Sequence, residues 1–155
     1  MLIIDYYNFL YYRYPEINEA IVIFNLNILR SFVKNKDINI KVVFDGIYFQ
    51  NINFSQKQIQ LHFAYAMTAD DYIINIFSHL QGRSHVLVSK DRALGSFIKQ
   101  RNNATIIAPE LFWKELDYIL KYSNINNKKS SLIKTTDDKN SDIDLLFYNY
   151  FNKKD

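Results

Sequence analysis

Five aspartates stand where this chain changes from one element to the next, and they are the residues best placed to do chemistry. Asp5 follows the apolar run Leu2-Ile3-Ile4, and Asp45 follows Ile40 to Phe44. Asp70 and Asp71 close the tetrad Thr68-Ala69-Asp70-Asp71, and Asp91 lies just beyond Val86-Leu87-Val88-Ser89. Carboxylates gathered in one place repel each other, and their pKa values rise unless a cation compensates. A donor set of hard oxygens points to Mg2+ or Mn2+. Such an ion activates water and stabilises the charge that develops in phosphodiester cleavage. Each aspartate also has an ordinary structural use. Asp70 and Asp71 suit a helix N-terminus, Asp91 suits an N-cap, and Asp45-Gly46 suits a turn. Asp5 is the hardest to explain that way, because a carboxylate ending a buried strand costs desolvation unless it is paired or bound.

The rest of the sequence narrows the choices. The chain has no cysteine, which excludes disulfides, thiolate metal sites and a cysteine nucleophile. His62, His79 and His85 have no ligand spacing. The three glycines, at 46, 82 and 95, cannot assemble a phosphate-cradling loop or a dinucleotide fingerprint. Aspartyl phosphotransferases place a second aspartate two residues after the strand-end one, and Tyr7 occupies that position here. Net charge is +3, and with the five aspartates set aside the remainder is more basic still. A basic body around an acidic pocket suits a polyanion with a divalent ion between the two. Lys90, Arg92, Lys99 and Arg101 lie near the acidic positions and are candidates to hold RNA phosphates. Tyr11, Tyr12 and Arg13 are weaker candidates for stacking, because a composition rich in Ile, Asn, Lys, Tyr and Phe makes any single tyrosine uninformative. The charge at Asp5 interrupts the N-terminal apolar run early, so neither a signal peptide nor a membrane span is expected, and the expected location is the cytoplasm.

The elements that must position these residues follow from periodicity. A length of 155 residues with 48% hydrophobic content suits one domain with a sizeable core. Leu2 to Ile4, Ile40 to Phe44, Val86 to Val88 and Ala104 to Ile107 read as buried strands. Ile59 to Tyr65 alternates and reads as a half-buried strand. A helix is expected from Pro15 to about Asn35, with a stripe through Ile17, Ile21, Phe24, Ile28 and Phe32 that Val22, Leu26, Leu29 and Val33 broaden. Thr68-Ala69-Asp70-Asp71 opens a second helix as a capping box, with Gly82 placed to end it. Asp91 to Arg101 forms a third, with Leu94, Phe97 and Ile98 inward. Pro109 starts a fourth, carrying Leu111, Phe112, Leu116, Ile119 and Leu120. Strands alternating with helices imply an α/β fold with a mostly parallel sheet covered on both faces. Ligands of such sheets bind outside the carboxyl ends of the strands, the rim toward which all five aspartates should project. From about Ser123 the composition turns polar and aperiodic, which suggests residues 1–122 as the domain and 123–155 as a linker with a short aromatic end. Ile143 to Phe151 is expected to dock back on the domain.

Four short blocks carry a resemblance. Ile3-Ile4-Asp5-Tyr6-Tyr7-Asn8 is similar to the opening of NYN domains, which belong to the PIN-like nucleases. Val42-Val43-Phe44-Asp45-Gly46, Thr68-Ala69-Asp70-Asp71-Tyr72-Ile73 and Val88-Ser89-Lys90-Asp91-Arg92-Ala93-Leu94 resemble the next three blocks in the family's order. The branch most similar is the YacP-like one, and the match spans roughly residues 1 to 117. The resemblance implies a three-layer sandwich with strand order 3-2-1-4-5 and a metal-dependent endoribonuclease. Asp5, Asp70 and Asp91 would be metal ligands, and Asp71 would support a second ion or orient water. Asn8 would hydrogen-bond the scissile phosphate, with Asp45 and Ser89 supporting. Some relatives act on mRNA engaged with the ribosome, which makes RNA and the ribosome the implied partners. Tyr6 stands where the family has glycine, so it is expected either to narrow the site or to stack on a base. Two other functions fit the same residues: a PIN-like RNA-binding adaptor without catalysis, and a Mg2+-dependent small-molecule phosphohydrolase.

Overall fold

A computed structural model describes residues 1–80, 85–101 and 104–128, with side chains set aside for 101 and 122–128. Strand β1 (Leu2–Asp5) lies at the centre of a five-stranded sheet. It pairs on one side with β2 (Ile40–Asp45), which pairs with β3 (Ile59–Ala64). On the other side it pairs with β4 (His85–Val88), which pairs with β5 (Ala104–Ile107). Every pairing is parallel and the order is β3-β2-β1-β4-β5. The register aligns Asp5 with Val43, Ile4 with Val88, and Asp45 with Ala64, so the strands end on one common edge.

The period of two along each strand splits the core into two layers. Leu2, Ile4, Val42, Phe44, Val86 and Val88 face one way, toward α1 (Tyr6–Tyr11), α2 (Glu19–Lys36) and α5 (Pro109–Lys128). Ile3, Val43 and Leu87 face the other, toward α3 (Ala69–Ser78) and α4 (Arg92–Arg101). A sheet buried on both faces explains why its strands read as continuous apolar runs. Among the described residues no helix is long and apolar enough to cross a membrane.

Several boundaries differ from the pattern-based expectation, each for a local reason. Helix α2 begins at Glu19, because the Asn18 side chain accepts from the Ile21 N–H at 3.0 Å and caps the helix there; Pro15 lies outside it. Its buried face runs through Val22, Leu26, Leu29 and Val33, whereas Phe24, placed on the expected stripe, is 58% exposed. The sheet covers only one side of the helix, and Phe24 falls beyond that side's edge. Tyr65 and Leu111, expected inward, are exposed because each lies at the margin of its element. Helix α1 was not expected, since six residues are too few to show a helical period. Helix α5 continues to Lys128, past the composition change at Ser123, because polar residues do not prevent a formed helix from propagating. Gly82 and the Ile143–Phe151 segment lie outside the described residues.

Candidate active site

Asp5 ends β1 at the carboxyl edge and is only 7% exposed. The Ser89 hydroxyl donates to Asp5 Oδ2 at 3.0 Å, and the Asp91 N–H donates to Ser89 Oγ at 3.0 Å. Asp91 Oδ1 accepts from the Leu94 N–H at 2.9 Å, which makes Asp91 the N-cap of α4. Asn8 Oδ1 accepts from the Lys90 N–H at 2.7 Å. Three side chains, those of Asp5, Asn8 and Ser89, therefore tie the end of β1 and the start of α1 to the loop after β4. This loop cannot shift without losing several bonds together.

Burial pushes the Asp5 carboxyl up from 3.8 to about 6, and the charges of Asp70 and Asp91 push the same way. The Ser89 hydroxyl and the Asn8 backbone N–H hold it back only in part. Burial also raises Asp70, helped by Asp91, Asp45 and Asp71. These mutual effects show that Asp5, Asp45, Asp70 and Asp91 share one electrostatic neighbourhood. Among the described residues no cationic side chain pairs with Asp5.

Asp71 is turned away from this group. It is exposed, and its carboxylate accepts from the Thr68 hydroxyl at 2.9 Å while its N–H donates to the same oxygen at 3.1 Å. Its place is the cap of α3. Asp45 is exposed at the end of β2, just before Gly46, whose φ of 77° favours glycine.

Two clefts open along the carboxyl edge. The first, about 730 Å3, is lined by Asp5, Asn8, Asp45 and Asp70 together with Tyr7, Tyr11, Tyr48 and Phe49. The second, about 780 Å3, is lined by Ser89, Asp91, Lys90, Arg92 and Lys99 against the face of α4. Asp5, in the wall of the first, is bonded to Ser89, in the wall of the second.

The oxygen donors of the first cleft suit a hard divalent ion. Among the described residues no three Asp, Glu or His side chains stand close enough to hold one ion by themselves. Mg2+ commonly takes one or two carboxylates and keeps several waters, so that spacing is compatible with it. A buried carboxylate facing other carboxylates, with no protein cation to relieve it, is the observation that fits the ion.

One sequence-based expectation is overturned. Tyr6 neither narrows the cleft nor stacks on a base. It is fully buried, donates from its hydroxyl to the Val22 carbonyl at 3.1 Å, and packs between Phe9 and Phe44. The chain turns into α1 directly after Asp5, and that turn aims residue 6 into the core. Arg13, a candidate to stack on RNA, is exposed and forms a bidentate pair with Asp117 at 2.8 and 3.0 Å, with its guanidinium 4.5 Å over Trp113. Lys90, Arg92 and Lys99 are exposed on the second cleft, and the Arg101 side chain lies outside the described ones. Pattern reading missed Tyr7, Tyr48 and Phe49 as cleft residues. The signals available were the i, i+4 spacing of Tyr7 and Tyr11 and the position of Tyr48 just after the Asp45-Gly46 turn.

The YacP-like NYN domain model matches residues 2–145. No curated protein matches the chain. Among solved structures, the chain is similar to the crystal structure of Rae1 (YacP) from Bacillus subtilis, with a TM-score of 0.70 and 16% identity, covering 83% of this chain and 80% of that one. A tryptophan-to-leucine mutant of the same protein gives a TM-score of 0.66 at 16% identity, covering 83% and 85%. At that identity the likeness concerns the fold.

Proposed function

The chain belongs to the YacP-like NYN domain family, a PIN-like nuclease group, and on that footing we propose that it is a divalent-metal-dependent endoribonuclease. The observation that carries this reading is Asp5. A carboxylate buried at the end of the central strand, raised to about 6 and facing Asp70 and Asp91, is a standing cost to the fold. Such a cost is expected where charge is kept for chemistry.

Asp5 and Asp70, with Asp91 beside them, would hold Mg2+ or Mn2+. Bound there, the ion supplies an activated water and a counter-charge for the phosphodiester. Ser89 keeps the Asp5 carboxylate oriented, and Asn8 holds the loop that carries Asp91. Asp70 is half-buried and raised by burial and by its aspartate neighbours, a repulsion that an ion held between the carboxylates would relieve. Lys90, Arg92 and Lys99 neutralise phosphates of the strand in the neighbouring cleft. Because Tyr6 is buried, its replacement of the family's glycine leaves the rim open.

Incubating the protein with single-stranded and structured RNA, with Mn2+, with Mg2+ and with chelator, tests the reading. Metal-dependent internal cleavage that Asp5→Asn and Asp91→Asn both abolish is expected. Absent cleavage, or cleavage surviving both substitutions, overturns it. Metal-free RNA binding with no cleavage would select an adaptor, and phosphate monoester hydrolysis without RNA cleavage a phosphohydrolase. Cosedimentation with ribosomes tests engagement of translating mRNA separately.

A further inference from the structure

The first cleft has a second material besides its carboxylates. Tyr48 is 88% exposed and Tyr11 59%, large ring areas to leave in water. In a chain this rich in tyrosine one exposed ring means little. These rings, however, line the same cleft as Asp5, Asp45 and Asp70. The part of the wall on α1 is also built rather than loose, and Tyr48 projects from the loop after β2. Tyr7 stands edge-on to Phe44 at 6.0 Å and 6.3 Å from Phe49, both packed against the core. Tyr11 follows one helical turn later, its ring 6.2 Å from Tyr7 at an interplanar angle of 32°. The Tyr7 hydroxyl is within electrostatic reach of Asp45 and Tyr48, which brings the loop after β2 to the same wall.

An ion held by the carboxylates offsets their repulsion at one phosphate but gives no hold on the bases beside it. We propose that the Tyr7–Tyr11–Tyr48 wall is a base-stacking subsite that selects single-stranded RNA, the proposal resting on the ribonuclease reading above. Unpaired bases have free faces to lay on tyrosine rings, and every base has such a face, so the attraction tolerates any sequence. Bases inside a duplex are already stacked and present a shape dominated by phosphate and 2′-hydroxyl groups. The strand's bases then meet the aromatic wall where its scissile phosphate meets the carboxylates. Its flanking phosphates lie toward Lys90, Arg92 and Lys99. Selection is divided: rings choose the unpaired strand, and cations hold its backbone.

Steady-state cleavage of a single-stranded oligoribonucleotide, the same sequence as duplex, and a single strand with abasic sites around the scissile bond tests this. For the single strand, Tyr48→Ala should raise KM by about 5- to 100-fold, the loss of one stacked base, with kcat changing far less. Tyr11→Ala should act in the same direction and Tyr48→Phe should retain the parent KM. On the abasic strand the parent should already show the raised KM, and Tyr48→Ala should add nothing. Cleavage by the parent with unchanged KM in both alanine variants, or equal cleavage of duplex and single strand, overturns the subsite alone. No cleavage by the parent in any metal overturns the ribonuclease reading and the subsite with it.

Discussion

Two clefts, one with Asp5 in its wall and the other with Ser89, are made of opposite materials. One gathers Asp5, Asp45 and Asp70 with tyrosines; the other gathers Lys90, Arg92 and Lys99 around a single aspartate. Their construction differs as much as their charge. Asp5 and Asp45 end strands, Asp70 lies in the first turn of α3, and Asp5 is held by a buried hydroxyl. The lysines and the arginine project from the surface and are exposed. Rigid, desolvated charge is what chemistry at a phosphate needs, because fixed groups require no reorganisation during reaction. Mobile, solvated charge is what capture of a long polyanion needs, because each contact is weak and replaceable. The difference teaches that a substitution of a carboxylate in the first cleft should act on kcat and one of a cation in the second on KM.

The largest expected effect is on the acidic side. Asp5→Asn should lower kcat by at least about 100-fold, since a metal contribution of several kcal/mol is lost. Single-turnover RNA cleavage with excess enzyme measures it. A matching loss from Lys99→Ala would erase the proposed division.

The second effect is on stability and has the opposite sign to activity. In the metal-free protein the Asp5 carboxyl rises from 3.8 unfolded to about 6 folded. Between those values the folded state binds more protons than the unfolded one, so stability falls as pH rises. The destabilisation is absent below pH 3.8 and complete above about 6. At pH 7.5 it reaches about 3 kcal/mol at most, and Asp5→Asn should recover part of it. Chemical denaturation at pH 5 and pH 7.5 checks this. Equal losses of stability at both pH values would show that Asp5 is an ordinary structural residue.

A third comparison concerns salt. Lys99→Ala and Arg92→Ala should each raise KM several-fold and reduce the dependence of log KM on log salt by about 0.7 per lost phosphate contact. Unchanged slopes would remove the second cleft from the substrate path. The smallest effect is expected at Arg13. Its pairing with Asp117 and stacking on Trp113 belong to the fold, so Arg13→Ala should cost about 1 kcal/mol of stability and leave KM for RNA unchanged.

Much of this arrangement was legible in the sequence, for reasons that also explain what was not. Strand-end aspartates are readable because the carboxyl edge of a parallel sheet is common to all its strands; Asp5, Asp45 and Asp91 needed only the correct strands to be placed. The capping role of Asp71 was visible in Thr68-Ala69-Asp70-Asp71, but not the contrast between Asp71, turned to its own helix, and Asp70, turned to the cleft. Tyr6 was misjudged because adjacency in sequence to Asp5 says nothing about direction once the chain turns into a helix. The aromatic wall was hidden by composition: among twelve tyrosines, Tyr7, Tyr11 and Tyr48 become a group only when the turn after β2 brings residue 48 beside α1.

The central claim is that Asp5 and Asp70 hold a divalent ion at the rim. A crystal of the protein grown or soaked in Mn2+, with diffraction collected at the manganese edge, tests it most directly. The account predicts an anomalous peak in the first cleft, bonded to the Asp5 carboxylate and to Asp70 directly or through water, and lost in Asp5→Asn. An empty cleft in Mn2+ concentrations that support RNA cleavage, or an ion bound elsewhere with Asp5 still protonated, would contradict it.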